Sequence, residues 1–218
     1  MTTLKTLSIL IPVFNEKDNI RKILEKIEEV TLPFGIEKQI IIVDDCSIDG
    51  TREVLATLEE RYKIFYHDRN HGKGYAIRTG IPAVTGEYVI IQDADLEYDP
   101  KDYVPMLERL VAENLKVLYG SRRIKIQNQY SHLSFLLGGI VLSIMTNILY
   151  RQKITDEPTC YKLIESDLLR SLNLECERFE FCPEVTAKVA RLGFKISEIG
   201  INYYPRSIEE GKKIKWFD

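Results

Sequence analysis

Short apolar runs and helical-period segments alternate through the first 120 residues of the chain. Residues 7–13, 39–43, 63–67, 87–92 and 116–119 are brief, largely apolar stretches, several rich in Ile and Val, as strands buried on both faces require. Between them, residues 18–30 place Ile20, Ile23, Leu24, Ile27 and Val30 at three- and four-residue steps, with Asp18 positioned to cap the start. Residues 51–62, 73–84 and 101–113 repeat the helical pattern more weakly. This alternation predicts an α/β fold with a doubly wound, mostly parallel sheet flanked by helices, in which ligands bind beyond the carboxyl ends of the strands.

The pattern changes after residue 119. A polar stretch, 122–132, leads into an apolar segment, 133–150, that also contains Gly138, Gly139, Ser143, Thr146 and Asn147. It is shorter than the about 20 apolar residues of a spanning helix, which leaves a core helix or an interfacial one; Lys125, Arg151 and Lys153 nearby suit the second. Helices at 166–172 and 183–192, a strand around 195–203 and a basic tail complete the expectation, with no repeat or linker, so the chain reads as one domain.

Composition narrows the classes. Hydrophobic residues make up 44% and charged residues 29% of 218, which excludes disordered and low-complexity chains. Thirty Lys and Arg against 33 Asp and Glu give a net charge of -3, so the broad basic field of a nucleic-acid binder is missing and no nucleic-acid partner is expected. Cys46, Cys160, Cys176 and Cys182 are scattered without metal or disulfide spacing and read as reduced thiols of a cytosolic protein. The apolar run at the start is broken by Pro12 and followed by Asn15, Glu16 and Lys17, the pattern of a buried strand rather than of a signal peptide.

Carboxylates stand where the fold rule places a site. The strand at 39–43 runs into Asp44 and Asp45, and the strand at 87–92 into Asp93, Ala94 and Asp95. Two aspartates at i and i+2 past a strand can aim oxygens at one small volume, which suits a hard divalent cation, with Glu97 as a third oxygen ligand. Aspartate is also a common turn former, but its repetition at two strand ends favours a site. Residues 70–76 open a helix with two glycines and Lys73, so backbone N–H groups and a cation can face an anion, although the spacing is not that of a Walker A loop. His67, His71 and His132 have no companions at metal spacing, and no Ser-His-Asp constellation is visible.

Four ordered motifs, Ile11-Pro-Val-Phe-Asn-Glu16, Val43-Asp-Asp-Cys-Ser-Ile-Asp-Gly-Thr51, Asn70-His-Gly-Lys-Gly74 and Gln92-Asp-Ala-Asp-Leu-Glu97, resemble those of family-2 glycosyltransferases with the GT-A fold. Tyr119-Gly-Ser-Arg122, Thr155-Asp-Glu-Pro-Thr-Cys-Tyr-Lys162, Arg178-Phe-Glu-Phe-Cys-Pro-Glu184 and the segment from Tyr204 to Trp216 resemble its polyprenyl-phosphate branch, typified by dolichol-phosphate mannose synthase. The resemblance implies a donor pocket formed by Pro12, Asn15, Glu16, Asp44, Asp45, Lys73, Asp93, Ala94, Asp95, Arg206 and Lys212, with Lys213 beside the last. It implies Mg or Mn on Asp93, Asp95 and Glu97, and an acceptor-phosphate site at Ser121 and Arg122. Asp95, Asp156 and Arg206 are the implied catalytic residues. Residues 1–120 then form a nucleotide-sugar half and 121–218 an acceptor half. Cys46 departs from the glycine usual in its motif.

The implied reaction is inverting, metal-dependent transfer of a sugar, mannose or glucose, from a GDP- or UDP-sugar to dolichyl or polyprenyl phosphate. It would take place at the cytoplasmic face of a membrane, by peripheral contact or through an anchor in a longer protein. A diphosphate leaving group needs its charge neutralised, whereas a phosphate acceptor is already an anion and requires positioning more than a general base. Two alternatives stay open: transfer to a sugar hydroxyl, which needs a base such as Glu184, and a non-catalytic nucleotide-sugar-binding protein.

Overall fold

A computed structural model describes residues 4–128 and 133–206. Its elements run β1 (Thr6–Val13), α1 (Ile20–Glu29), β2 (Glu37–Asp44), α2 (Thr51–Ala56), β3 (Lys63–Tyr66), α3 (Lys73–Gly80), β4 (Tyr88–Ile91), α4 (Tyr103–Ala112), β5 (Val117–Ser121), α5 (Leu133–Tyr150), β6 (Lys162–Glu165), α6 (Ser166–Ser171), α7 (Phe181–Arg191) and β7 (Ser197–Gly200). The strands make one sheet in the order β3-β2-β1-β4-β6-β5-β7, in which β6 alone runs antiparallel to its neighbours. The core is the Ile, Leu and Val side chains of β1, β2, β4 and β5 together with the inner faces of α1, α3 and α4. Each such side chain, fully buried, is worth about 1.5–3 kcal/mol of transfer free energy.

The predicted α/β sheet is therefore present, with local differences that have physical causes. α2 stops at Ala56 rather than 62. α3 stops at Gly80 and passes into a 3-10 turn, Ile81–Ala83, where Pro82 lacks the amide the helix would need. Asp18 does not cap α1: the helix starts after Asn19, and the Glu16 carbonyl accepts the amides of Asn19 and Ile20. The strand expected over 195–203 is β7 plus an isolated bridge between Tyr98 and Tyr203. Strand β6 is absent from the sequence reading. It opens with a lysine, and Lys162 is fully buried, its ammonium on the Glu157 carbonyl at 2.7 Å and 3.9 Å from the Tyr119 ring centroid. A charged letter in a core position conceals a strand from any hydrophobic pattern.

Topology decides where chemistry gathers. Because β1, β2, β4, β5 and β7 are mutually parallel, their carboxyl ends lie along one edge of the sheet. Because β6 is antiparallel, the segment that precedes it, Thr155 to Tyr161, arrives at that same edge. Residues separated by up to 190 positions are thus brought together.

Candidate active site

The loop after β4 carries the paired aspartates, and buried neighbours hold it in place. Gln92 is fully buried; its carbonyl oxygen accepts the hydroxyls of Tyr103 and Tyr161 and its amide donates to the Asp93 carbonyl. Leu96 lies in the left-handed region at φ 65°, a conformation costing a non-glycine residue about 1 kcal/mol that persists where the surroundings fix it. Lys73 Nζ stands 2.5 Å from Asp93 Oδ1, and Arg206 Nη2 stands 3.4 Å from Asp95 Oδ2. Burial works against the Lys73 charge, yet Asp93 beside it holds the ammonium well above its ordinary value. Burial, then Asp93 and Glu97, push the Asp95 carboxyl up to about 7, with Arg206 opposing.

Glu97, expected as a third ligand, lines the cavity over this loop and is also engaged by segment 203–206. Its oxygens accept the Tyr203 hydroxyl at 2.6 Å and the Arg206 amide at 2.9 Å, so it ties segment 203–206 to the aspartate loop. Among the described residues no group of three or more His, Cys, Asp or Glu side chains converges to hold a metal ion. Two carboxylates in a crowded, mutually repelling pair are nevertheless the donor set suited to Mg or Mn, which complete their shells with water and substrate phosphate.

A cavity of about 290 Å³ opens over this loop. Pro12, Glu16, Asp45, Lys73, Asp93, Ala94, Asp95 and Arg206 all line it, as expected, together with Val13 and Phe14. Arg206 bridges its mouth, with its guanidinium 3.3 and 3.4 Å from the Glu16 oxygens. Asn15 and Asp44 do not line it. Asn15 binds the turn after β2 through the Ser47 hydroxyl and the Ile48 amide, and Asp44 is wholly buried, paired with Arg52 at 2.7 Å. That turn keeps a glycine-like conformation although it carries Cys46, at φ 62°. All four cysteines are free thiols.

Most amides around the N-terminus of α3 already have acceptors within the protein. His71 and Gly72 donate to Asp45, while Gly74 and Tyr75 donate to the carbonyls of Arg178 and Glu177. Asp45 also meets His67 Nδ1 at 2.7 Å, so the aspartate braces the loop it faces. The packing is close enough to require glycine: at Gly72, φ 97°, an added Cβ would sit 2.6 Å from the Glu177 carbonyl oxygen. This contact brings Arg178 and Phe179 into the cavity wall. Neither was assigned a role from sequence, although both lie in a motif, because only the fold of the 175–180 loop carries them there. Together with Arg206 they also make the cavity a joint product of the two halves of the chain.

A second cleft, of about 680 Å³, is lined by Asn19, Gln127, Asn128, Asn202, Tyr203 and Tyr204 among others. Both cavities have Asp95 and Arg206 in their walls. Ser121, Arg122 and Asp156 line neither cavity; Arg122 meets the second through Tyr203, its guanidinium 5.2 Å from that ring centroid. Asp156 is 1% exposed and grips Arg122 with both oxygens, 2.7 Å to Nε and 2.7 Å to Nη2, and also accepts the Arg122 amide. Burial raises the carboxyl of Asp156, but the Arg122 guanidinium outweighs it and holds the group below the ordinary range. Asp156 is therefore a fixed anion that orients Arg122. Ser121 is fully buried, its hydroxyl 2.7 Å from the Thr155 hydroxyl and accepting the Arg123 amide.

Glu184, the base that transfer to a hydroxyl would need, is a clamp. It accepts the amides of Glu175 and Cys176 at 2.8 Å each and pairs with Lys188 at 2.7 Å; these bonds overcome its partial burial and bring its carboxyl down to about 2. Glu184→Gln should destabilise the fold by about 1–3 kcal/mol at pH 7. A depressed carboxyl contributes above its unfolded value and loses that contribution as pH falls through the folded one. The difference between wild type and variant in denaturant melts should therefore shrink towards pH 2; a difference unchanged down to that pH would contradict the clamp. Lys212, Lys213, Trp216 and His132 lie outside the described residues.

Comparison with known proteins places this geometry. The sequence profile described as glycosyl transferase family 2 matches residues 8–172, about three quarters of the chain. Dodecaprenyl-phosphate galacturonate synthase of Rhizobium johnstonii is 25% identical over 210 residues, 92% of this chain and 59% of that protein. An uncharacterized glycosyltransferase of Synechocystis is 37% identical over 120 residues, 54% of this chain and 37% of that protein. Among solved structures, S. aureus TarS (residues 1–349) aligns with a TM-score of 0.68 at 20% identity, covering 94% of this chain and 61% of that one. Glucosyl-3-phosphoglycerate synthase of Mycobacterium tuberculosis, in complex with Mn2+, UDP and glucosyl-3-phosphoglycerate, aligns with a TM-score of 0.66 at 16% identity, covering 94% and 74%. These neighbours share the GT-A fold. The chain thus spans little more than half the length of the Rhizobium relative.

Proposed function

The chain belongs to glycosyl transferase family 2, and we propose that it transfers a sugar from a nucleoside diphosphate to a polyprenyl phosphate, with inversion at the anomeric carbon. The observation that carries the reading is the pair of cavities that share Asp95 and Arg206 in their walls. A donor in the first and an anionic acceptor in the second meet across those two side chains. The Rhizobium relative is named for a dodecaprenyl-phosphate product, which supports a lipid phosphate as acceptor.

Pro12, Phe14, Glu16 and Asp45 form the wall for the nucleoside, and Arg178 and Phe179 close the cavity opposite them. Asp93 and Asp95 would hold Mg or Mn, which when bound supplies Lewis-acid neutralisation of the diphosphate leaving group. Mn2+ and UDP together in the mycobacterial neighbour support both the metal and a nucleoside diphosphate. Lys73 and Arg206, already paired with the two aspartates, move to the donor's phosphate oxygens and stabilise the charge that grows there. Arg122, aimed by Asp156, orients the acceptor phosphate. The acceptor oxygen is already anionic, so attack requires no proton transfer. This agrees with two carboxylates, Asp156 and Glu184, that are locked in ion pairs and unsuited to act as bases.

The test is transfer of label from a panel of GDP- and UDP-sugars to a short polyprenyl phosphate, with Mg or Mn, followed by extraction into organic solvent. Label in the organic phase from one donor, lost on adding a chelator, is the expected result. Nucleotide binding without lipid label, or label passing to a soluble sugar instead, would overturn the acceptor assignment.

A further inference from the structure

Helix α5 is built inside out. Over residues 136–150 its buried members are Ser143 and Thr146, at 2% and 9% exposure, whereas Leu137, Val141, Ile144, Met145, Ile148 and Leu149 are 51–73% exposed. The exposed set recurs at three- and four-residue steps, so it forms one continuous apolar side, and residues 133–150 contain no charged residue. A helix packed against a protein core shows the opposite arrangement. Patches of this kind on a protein surface mark an interaction site.

The inward side is attached through polar groups. The Ser143 hydroxyl accepts the Glu157 amide at 2.9 Å, and the Asn147 side chain holds both the amide and the carbonyl of Ile154. The segment thus gripped, 154–157, contains Asp156 and so fixes Arg122. The apolar side is therefore held in a constant orientation relative to the acceptor-side cleft.

Charge indicates what covers it. Arg151 and Lys153 are exposed just beyond the helix, and Lys195 reaches the Arg151 carbonyl at 3.0 Å; exposed Arg191 and Leu192 stand on the neighbouring turn. Residues 151–155 and 185–197 contain no carboxylate. An apolar side running from Leu137 to Leu149, about 18 Å along the helix, with a basic rim complements an anionic lipid surface. A second copy of the same face would bring basic rim against basic rim. Among the described residues no helix is long and apolar enough to cross a membrane.

We infer that α5 lies flat in the headgroup region of an anionic membrane, its Leu137–Leu149 side immersed and its Ser143–Asn147 side holding the acceptor loop above the lipid. Lysine Lys125, expected from sequence to join the rim, is instead engaged with Asp102 and Asn202. The link to the acceptor loop rests on the proposed reaction; the docking itself does not.

Sedimentation with phosphatidylcholine vesicles, with and without phosphatidylglycerol, tests the docking in the absence of donor and acceptor. Wild type should pellet with the anionic vesicles and be released by salt. The double variant Ile148→Glu, Leu149→Glu alters two exposed side chains, so its fold and nucleotide binding should be unchanged while its vesicle partition falls by at least about a hundredfold. Equal pelleting of variant and wild type, wild type left in the supernatant, or a wild-type dimer that the variant dissociates would each overturn it. Vesicle binding with no lipid-dependent transfer would instead count against the proposed reaction alone.

Discussion

Asp95→Ala is expected to lower sugar transfer by on the order of a thousandfold while melting close to wild type. The reason is local. Asp95 faces both cavities, pairs with Arg206 and accepts a backbone hydrogen bond from Glu97, so it bears on the reaction far more than on the fold. Removing it takes away half of the two-carboxylate donor set and leaves Arg206 paired with Glu16. Binding of Mn2+ in the presence of a nucleoside diphosphate, followed by electron paramagnetic resonance, should weaken in parallel with turnover. Near-normal metal-dependent transfer in this variant would refute the aspartate assignment.

Asp156→Ala should act mainly on stability. The substitution removes the carboxylate that holds a largely buried guanidinium through both its oxygens, and breaking a buried ion pair from one side costs about 3–5 kcal/mol. For a chain of this length that is a fall in melting temperature of roughly 6–20 °C. Sign and pH follow from the depressed carboxyl: its contribution is fully present above the unfolded value, near 4, and is lost as pH falls through the lower folded value. Acid should therefore erase the difference between wild type and variant. A double variant, Arg122→Met with Asp156→Leu, removes both charges and should recover much of the stability without recovering lipid-phosphate transfer. Full stability of Asp156→Ala alone would mean that the pair does not anchor this edge of the fold.

The candidate site was legible in part. Asp93, Asp95, Lys73 and Arg206, which the structure gathers around one cavity, stand at strand ends and in ordered motifs, which are local features. Glu97 was given a ligand role by spacing, and Asn15, Asp44, Ser121 and Glu184 theirs by resemblance to a family. In the structure each makes hydrogen bonds that hold a loop, with partners 8 to 109 residues away. The glycines at 72 and 74 read as an anion cradle, yet their close approach serves a carbonyl-bearing loop. A motif records that a residue type is needed at a place; it does not record whether the oxygen turns to a ligand or to the backbone of a distant segment.

Alternation of apolar runs with helical periods determined the sheet and its layers, because burial on one or two faces is written along each element. The order of the acidic and basic motifs determined the family and the edge of the sheet that carries the chemistry. Tertiary structure alone decided that β6 enters antiparallel with a buried lysine, which brings Asp156 to Arg122, and that α5 turns its serine and threonine inward and its isoleucines outward. Hydrophobic periodicity reports that a helix has two sides, but which side meets the protein depends on the hydrogen-bonding groups opposite it, and those come from segments the local pattern does not contain.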